Sequence, residues 1–211
     1  METKTCLVTP KPGDRIAFGI YPQTADGRDR TPIRWRVLRS EGARLFLLSD
    51  QILDCRPYHE LQAAVNWDGS SLRRWLNEWF FLRAFSAAEQ QMIQPIPCGG
   101  RIADGDRVFL LSEEETNELP ASCRGTTGTA YARSVRPGSR LYVYDKSVEE
   151  NYSGTGDERL GCSWWWLRSG GNRPDRACFV GTRGSVRHYG SVSLICYGVR
   201  PAIWLSGPVS H

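Results

Sequence analysis

Residues 164–202, WWWLRSGGNRPDRACFVGTRGSVRHYGSVSLICYGVRPA, decide how the rest of the chain is understood. The stretch opens on three consecutive tryptophans and closes on Val199-Arg200-Pro201-Ala202. Between them Val180, Val186 and Val192 stand six apart, and Gly184-Ser185-Val186 recurs as Gly190-Ser191-Val192, with Gly198-Val199 as a late echo. Six is a multiple of the two-residue strand period, so on a straight strand these valines share one face. The repeated glycines mark tight turns or close backbone approach. The triplets between the fixed points share no chemistry: Gly181-Thr182-Arg183, then Arg187-His188-Tyr189, then Ser193-Leu194-Ile195. A constant frame carrying unrelated side chains is the pattern of a scaffold that displays a surface.

Composition sharpens the reading. Residues 172–197 contain no Lys, Glu, Gln, Met or Trp, whereas residues 1–163 contain 27 of them. At that frequency a blank run of this length arises in roughly one window in a hundred. The fifteen residue types that do occur are all reachable from an Asn codon, AAC or AAT, by changing only its adenines; the five missing types are not. A short glycine-rich β segment that happens to lack long polar residues is the plainer alternative, and composition alone does not separate the two.

The stretch resembles the variable region of diversity-generating retroelement target proteins. In those systems template adenines are mutated during reverse transcription and the product replaces the 3′ end of the target gene. The resemblance extends upstream through Gly19-Ile20-Tyr21-Pro22-Gln23-Thr24, Ile33-Arg34-Trp35-Arg36-Val37-Leu38, Leu53-Asp54-Cys55, Ser70-Ser71-Leu72-Arg73-Arg74-Trp75-Leu76-Asn77, Ala84-Phe85-Ser86 and Val108-Phe109-Leu110-Leu111-Ser112. These segments look like a bacterial domain of uncharacterised function often found in such targets, over about residues 12–205 and more weakly through 120–160. The resemblance implies an α+β, C-type-lectin-like fold, related in architecture to formylglycine-generating enzymes, with short helices, a small antiparallel sheet and long loops. It implies one domain over residues 1–211, with residues 164–202 as a variable ligand-binding region inside it.

The rest of the chain fits an α+β reading on its own terms. Residues 15–21 make a first strand. Ile33, Trp35 and Val37 alternate with Arg34, Arg36 and Arg39, a half-buried strand, and Glu41-Gly42 turns the chain into a second at 44–49. Ser70-Ser71 starts a helix whose Leu72, Trp75, Leu76, Trp79 and Phe80 form one apolar stripe, read as core. Ser86-Ala-Ala-Glu89 and Ser112-Glu-Glu-Glu115 are capping boxes that open two further short helices. Residues 108–111 read as a buried strand, Asp104-Gly105-Asp106 as a turn, and residues 120–162 as a long excursion with one strand at 141–144.

Several function classes are disfavoured. The net charge is +4, carried by 24 Arg and 3 Lys with no basic run, so no nucleic-acid partner is expected. The first 30 residues hold no signal-type apolar run, and no segment approaches the length of a membrane span. That points to a cytoplasmic or phage-particle-associated protein, with export by an unrecognised route left open. The seven cysteines include no C-x-x-C pair and the three histidines are scattered, so neither a metal site nor a disulfide scaffold is legible and no cofactor is expected. The alternative functions are a lectin-fold enzyme of the formylglycine-generating or related type and, third, a structural or interaction domain with no diversification. The formylglycine-generating family carries an active-site cysteine pair close in sequence, whereas Cys178 and Cys196 here stand eighteen apart. The resemblance places Trp164, Trp165, Trp166 and Arg168 in the invariant frame, and Arg200 likewise looks like a frame residue, bonded to backbone carbonyls.

The expectation is therefore a non-enzymatic protein, diversified by a retroelement to bind varied ligands. Its ligand-binding residues are Arg173, Asp175, Arg176, Phe179, Thr182, Arg183, Arg187, His188, Tyr189, Ser193, Leu194, Ile195 and Tyr197, gathered on one exposed face while the three valines are buried. Arginine and aromatic side chains dominate binding hot spots, and exposed Leu194-Ile195 calls for a cover. The surface is mildly basic, so the expected ligand is a protein or peptide with an acidic rim, bound without a metal. The sequence carries no reading of the oligomeric state.

Overall fold

In the computed structural model the described residues are 10–98, 101–145 and 160–206. They form a mixed α+β structure of mostly short antiparallel strands with a few short helices. The alternating segment at 33–39 lies inside the hairpin of β2 (Thr31–Glu41) and β3 (Arg44–Ser49), with Gly42 at φ 59° in its turn. Ile33, Trp35 and Val37 point inward and are fully buried, as two-residue alternation requires. Strand β1 (Arg15–Tyr21) pairs with β2.

The capping chemistry starts the helices where expected. The Ser70 hydroxyl accepts from the Arg73 backbone N–H at the start of α1 (Ser71–Trp75). One wide turn of π type follows at Leu76–Phe80, closed by the Phe81 N–H donating to the Leu76 carbonyl, and α2 (Phe81–Ala84) completes the helix. That extra residue shifts the phase of the apolar stripe. Leu72, Leu76 and Phe80 are buried, but Trp79 is 39% exposed and stacks on the partly buried Trp75. The reading of the whole stripe as core is corrected to that extent. Both capping boxes close, Ser86 with Glu89 at α3 (Ala87–Met92) and Ser112 with Glu115 at α4 (Glu113–Glu118). Two single-turn helices follow, α5 (Ala121–Arg124) and α6 (Ala130–Arg133).

Where one small sheet was expected, the strands form two of five strands and one of two. The first runs β1-β2-β3-β12-β5, with β5 at Ile93–Gln94 and β12 at Ala202–Ser206. The second runs β10-β9-β8-β11-β4, from β4 (Asp54–Cys55), β8 (Trp165–Gly170), β9 (Arg176–Val180), β10 (Val186–Ser191) and β11 (Gly198–Val199). One contact, β11 on β8, is parallel. The pair β6 (Ile96–Cys98) and β7 (Arg101–Asp106) stands apart. The turn expected at 104–106 therefore lies in a strand. Asp106 is held there by long-range partners invisible to local patterning, Trp67 Nε1 and Arg73 Nε, each at 2.6 Å. Residues 108–111 are buried as expected, but pair through the Phe109–Ala202 bridge rather than a ladder. In the segment 141–144, Val143 is bridged to Ser163.

The two large sheets meet where the chain passes from β11 to β12. Arg200 sits between them, 1% exposed. It donates from Nε to the Ser49 carbonyl (2.9 Å) and from Nη1 to the Cys123 carbonyl (2.8 Å), and its guanidinium lies 5.0 Å from the Trp165 ring centroid. This is the backbone-carbonyl role expected of it. Trp165 and Trp166 are fully buried, with indole N–H groups donating to the Arg124 and Arg56 carbonyls. Trp164 is half-buried against Tyr142. Two glycines of the frame are required by close approach. A Cβ at Gly190 would stand 2.5 Å from the Trp166 ring, and one at Gly198 would stand 2.5 Å from Ile52.

Truncation should separate frame from surface. Trp165→Ala is expected to cost about 3–5 kcal/mol, as for a buried aromatic, and Arg187→Ala to stay within about 0.5 kcal/mol. Chemical denaturation of both variants measures this, and comparable losses would contradict the distinction.

Candidate functional site

The candidate surface is built on β8, β9, β10 and the turn that follows. Val180 and Val192 are fully buried. Val186, paired directly with Val180, is only partly buried because it opens the edge strand β10. Of the thirteen expected ligand residues, Arg173, Arg187, His188, Tyr189, Leu194 and Ile195 are exposed, and Asp175, Arg176, Arg183 and Ser193 are half-buried. Phe179, Thr182 and Tyr197 are buried, at 2%, 4% and 3% exposure, which corrects their place on the display surface. The reason is aromatic packing for two of them. Phe179 and Tyr197 meet at 4.8 Å between centroids, and Tyr197 stacks on Trp166 at 3.9 Å. Tyr189 stands edge-on over Phe179 at 5.4 Å, so it is 58% exposed on a buried aromatic floor. Thr182 lies in the tight turn closed by the Gly184 N–H donating to the Gly181 carbonyl.

The thirteen do not share one face. Arg187 pairs with Phe179 and Gly190 with Ala177, so His188 and Tyr189 together oppose the single residue Cys178. This bulge breaks the alternation on which the one-face expectation rested. Cys178 and Phe179 are successive strand residues and point to opposite faces. Tyr189 joins Phe179, while His188 turns the other way and places its Nε2 2.8 Å from Glu113 Oε1. Cys178 Sγ lies on that second side, 3.9 Å from Glu113 Oε2 and 3.0 Å from the Gly170 carbonyl.

At the other end of the strands a polar network ties part of the stretch together. Gln62 donates through Nε2 to Asp175 Oδ2 (2.9 Å) and accepts from the hydroxyls of Ser191 (2.6 Å) and Ser193 (2.7 Å). Arg173 and Arg176 also reach Asp175, at 3.1 and 3.6 Å. The Gln62 hydrogen bond foremost, helped by the two guanidinium charges, holds the Asp175 carboxyl below the usual range. A groove of about 850 Å³ runs beside this network, between His59, Val65 and Asn66 on one side and Gly171, Asn172 and Arg173 on the other. Gln62 and Glu113 were not identified from the sequence. Each lies more than sixty residues from its partners in the stretch, and nothing local marks either.

The two cysteines of the enzymatic alternative have different surroundings. Both thiols are free. Burial, with the charges of Glu113 and Glu114, pushes Cys178 up to about 12, and burial also raises Cys196. A thiol so raised is almost entirely protonated near neutrality and is a poor nucleophile. Iodoacetamide at pH 7.5 should therefore leave Cys178 unmodified in the native protein and label it after unfolding. Mass spectrometry reads the adduct, and rapid native labelling would contradict the stated environment.

Among the described residues no helix is long and apolar enough to cross a membrane. The chain belongs to the family described as "Domain of unknown function (DUF6273)", whose pattern matches residues 42–207. No curated protein and no solved structure matches it.

Proposed function

We propose that this chain is a non-enzymatic ligand-binding protein on a C-type-lectin-like fold, whose residues 164–202 are diversified by adenine-directed mutagenesis. One observation carries the reading. Within a single run of sequence, most frame positions are buried, Val186 only partly, while the triplets Arg187-His188-Tyr189 and Ser193-Leu194-Ile195 are exposed or half-buried. Trp165, Trp166, Val180, Val192, Val199 and Arg200 are each at most 1% exposed, while Arg173, Arg187, Tyr189, Leu194 and Ile195 are exposed. The buried set defines the backbone path, so the exposed set can change at little cost to folding. The missing residue types, which adenine substitution of Asn codons cannot produce, support the same reading. So does the resemblance of the upstream segments, and the short helices and antiparallel strands agree with the fold it implies.

The ligand of this reading is a protein or peptide with acidic groups at its rim. Tyr189, Leu194 and Ile195 supply apolar area at 58%, 47% and 39% exposure. Arg173, Arg176, Arg183 and Arg187 outnumber the one acid of the stretch, Asp175. Such a surface binds by preorganisation: the strands are already in place and only side chains must order.

Sequencing the native locus tests the proposal. A near-copy of the codons for residues 164–200 should lie close to a reverse transcriptase gene, and differences from the expressed copy should fall at template adenines. Absence of the copy, or differences spread over all four bases, would overturn the reading.

A further inference from the structure

We propose that Glu113, Cys178 and His188 form a binding site for a divalent transition-metal cation of the zinc type. Their ligand atoms, a carboxylate oxygen, a thiol sulfur and an imidazole nitrogen, all lie within 4.8 Å of one another. In a tetrahedral zinc centre, with bonds of about 2.0–2.1 Å to N and O and about 2.3 Å to S, neighbouring ligand atoms stand about 3.3–3.5 Å apart. The separations here straddle that value, 2.8 Å for His188 Nε2 to Glu113 Oε1 and 3.9 Å for Cys178 Sγ to Glu113 Oε2. All the separations lie within about 1.5 Å of that spacing.

Each ligand is delivered by a separate structural device. Glu113 is the first residue of α4, whose start is fixed by the Ser112–Glu115 capping box, and its backbone N–H donates to Ser169 Oγ at 2.9 Å. The neighbouring acid Glu115 is occupied elsewhere, in a two-point pair with Arg168 at 2.6 and 3.0 Å, which leaves the Glu113 carboxylate to His188 and Cys178. Cys178 comes from the middle of β9 and His188 from the bulge in β10, the kind of irregularity that re-aims a side chain. An ion pair between Glu113 and His188 would need no sulfur. The third donor, buried behind the pair, is what makes the set suited to a borderline-soft metal.

Charge and access fit as well. A carboxylate, a thiolate and a neutral imidazole bring two negative charges to a doubly charged ion, so the half-buried centre is neutral overall. Cys178 closes the inner side, while the side chains of His188 and Glu113 are 49% and 31% exposed. The fourth position faces outward, open to water or to an oxygen or nitrogen donor of a bound partner. The inference rests on these three side chains alone, and stands whether or not the stretch around Cys178 and His188 is diversified. It revises the expectation of metal-free binding for this side of β9 and β10.

Titration of the purified full chain with Co²⁺ under reducing conditions tests it. The expected result is a saturable, one-to-one spectrum with the intense visible bands of a tetrahedral site and a thiolate-to-cobalt charge-transfer band in the near ultraviolet, both removed by added Zn²⁺. Cys178→Ser should abolish the charge-transfer band. His188→Ala and Glu113→Gln, which change exposed and half-exposed side chains and leave the fold intact, should each weaken binding by at least about tenfold. Cys196→Ser should leave the spectrum unchanged. Zn²⁺ should also raise the melting temperature of the parent chain but not of His188→Ala. A charge-transfer band that survives in Cys178→Ser, equal affinities in the three ligand variants and the parent, or no saturable cobalt binding would overturn the proposal.

Discussion

One buried cation joins the two halves of this molecule. Arg200 lies between β11, in one five-stranded sheet, and β12, in the other. Its guanidinium donates to the Ser49 and Cys123 carbonyls and lies over the Trp165 ring. Burial lowers its pKa to about 10, so it stays charged near neutrality, and a charge in such a place is tolerated only because carbonyl dipoles and the ring face replace its water. Lysine would not reproduce this, because its compact ammonium lacks the planar fork that meets the two carbonyls from Nε and Nη1. The Ser49 carbonyl ends β3, and the Ser49 N–H donates to the Pro201 carbonyl. The chain that leaves the candidate surface is thereby clamped to the β2–β3 hairpin.

From that clamp the separation of frame and surface follows. Trp165 is held by Arg200 from one side, Trp166 by Tyr58 and Tyr197 from another. Gly190 and Gly198 let β10 and β11 lie against Trp166 and Ile52. Once these contacts are made, the backbone from 164 to 202 has one path, and outward residues add little to its stability. The surface is not made by the stretch alone, however. Gln62 organises Asp175, Ser191 and Ser193 from one side, and Glu113 meets Cys178 and His188 from the other. Residues outside the stretch thus set the chemical boundary of whatever it presents.

Much of this was legible because it is local. Alternation at Ile33, Trp35 and Val37, and the boxes Ser86–Glu89 and Ser112–Glu115, are short-range patterns with a direct physical reading, and each is found in place. Arg200 was legible for a related reason: an arginine amid apolar frame residues must find carbonyls. What escaped was created by departures from regular period. The wide turn at Leu76–Phe80 rotated Trp79 outward. The bulge opposite Cys178 divided His188 from Tyr189, and no pattern of two could foresee it. Phe179 and Tyr197 were placed outside because they sit between frame positions, yet their rings fill the space above Trp164 and Trp166. The Glu113–Cys178–His188 set is illegible on principle, since spacings of 65 and 10 residues match no local ligand motif.

The central claim is that the frame alone specifies the backbone of the stretch. The direct measurement is the thermal midpoint of one variant in which Arg173, Arg187, Tyr189, Ser193, Leu194 and Ile195 are all changed to asparagine, beside the single substitution Arg200→Lys. For a chain of this length each kcal/mol shifts the midpoint by about 2–4 °C. The account predicts that the sixfold variant melts cooperatively within about 5 °C of the parent. It predicts that Arg200→Lys melts lower by about 6 °C or more, the loss expected when a buried, multiply bonded cation is misfitted. A sixfold variant that unfolds, or melts below Arg200→Lys, would contradict it.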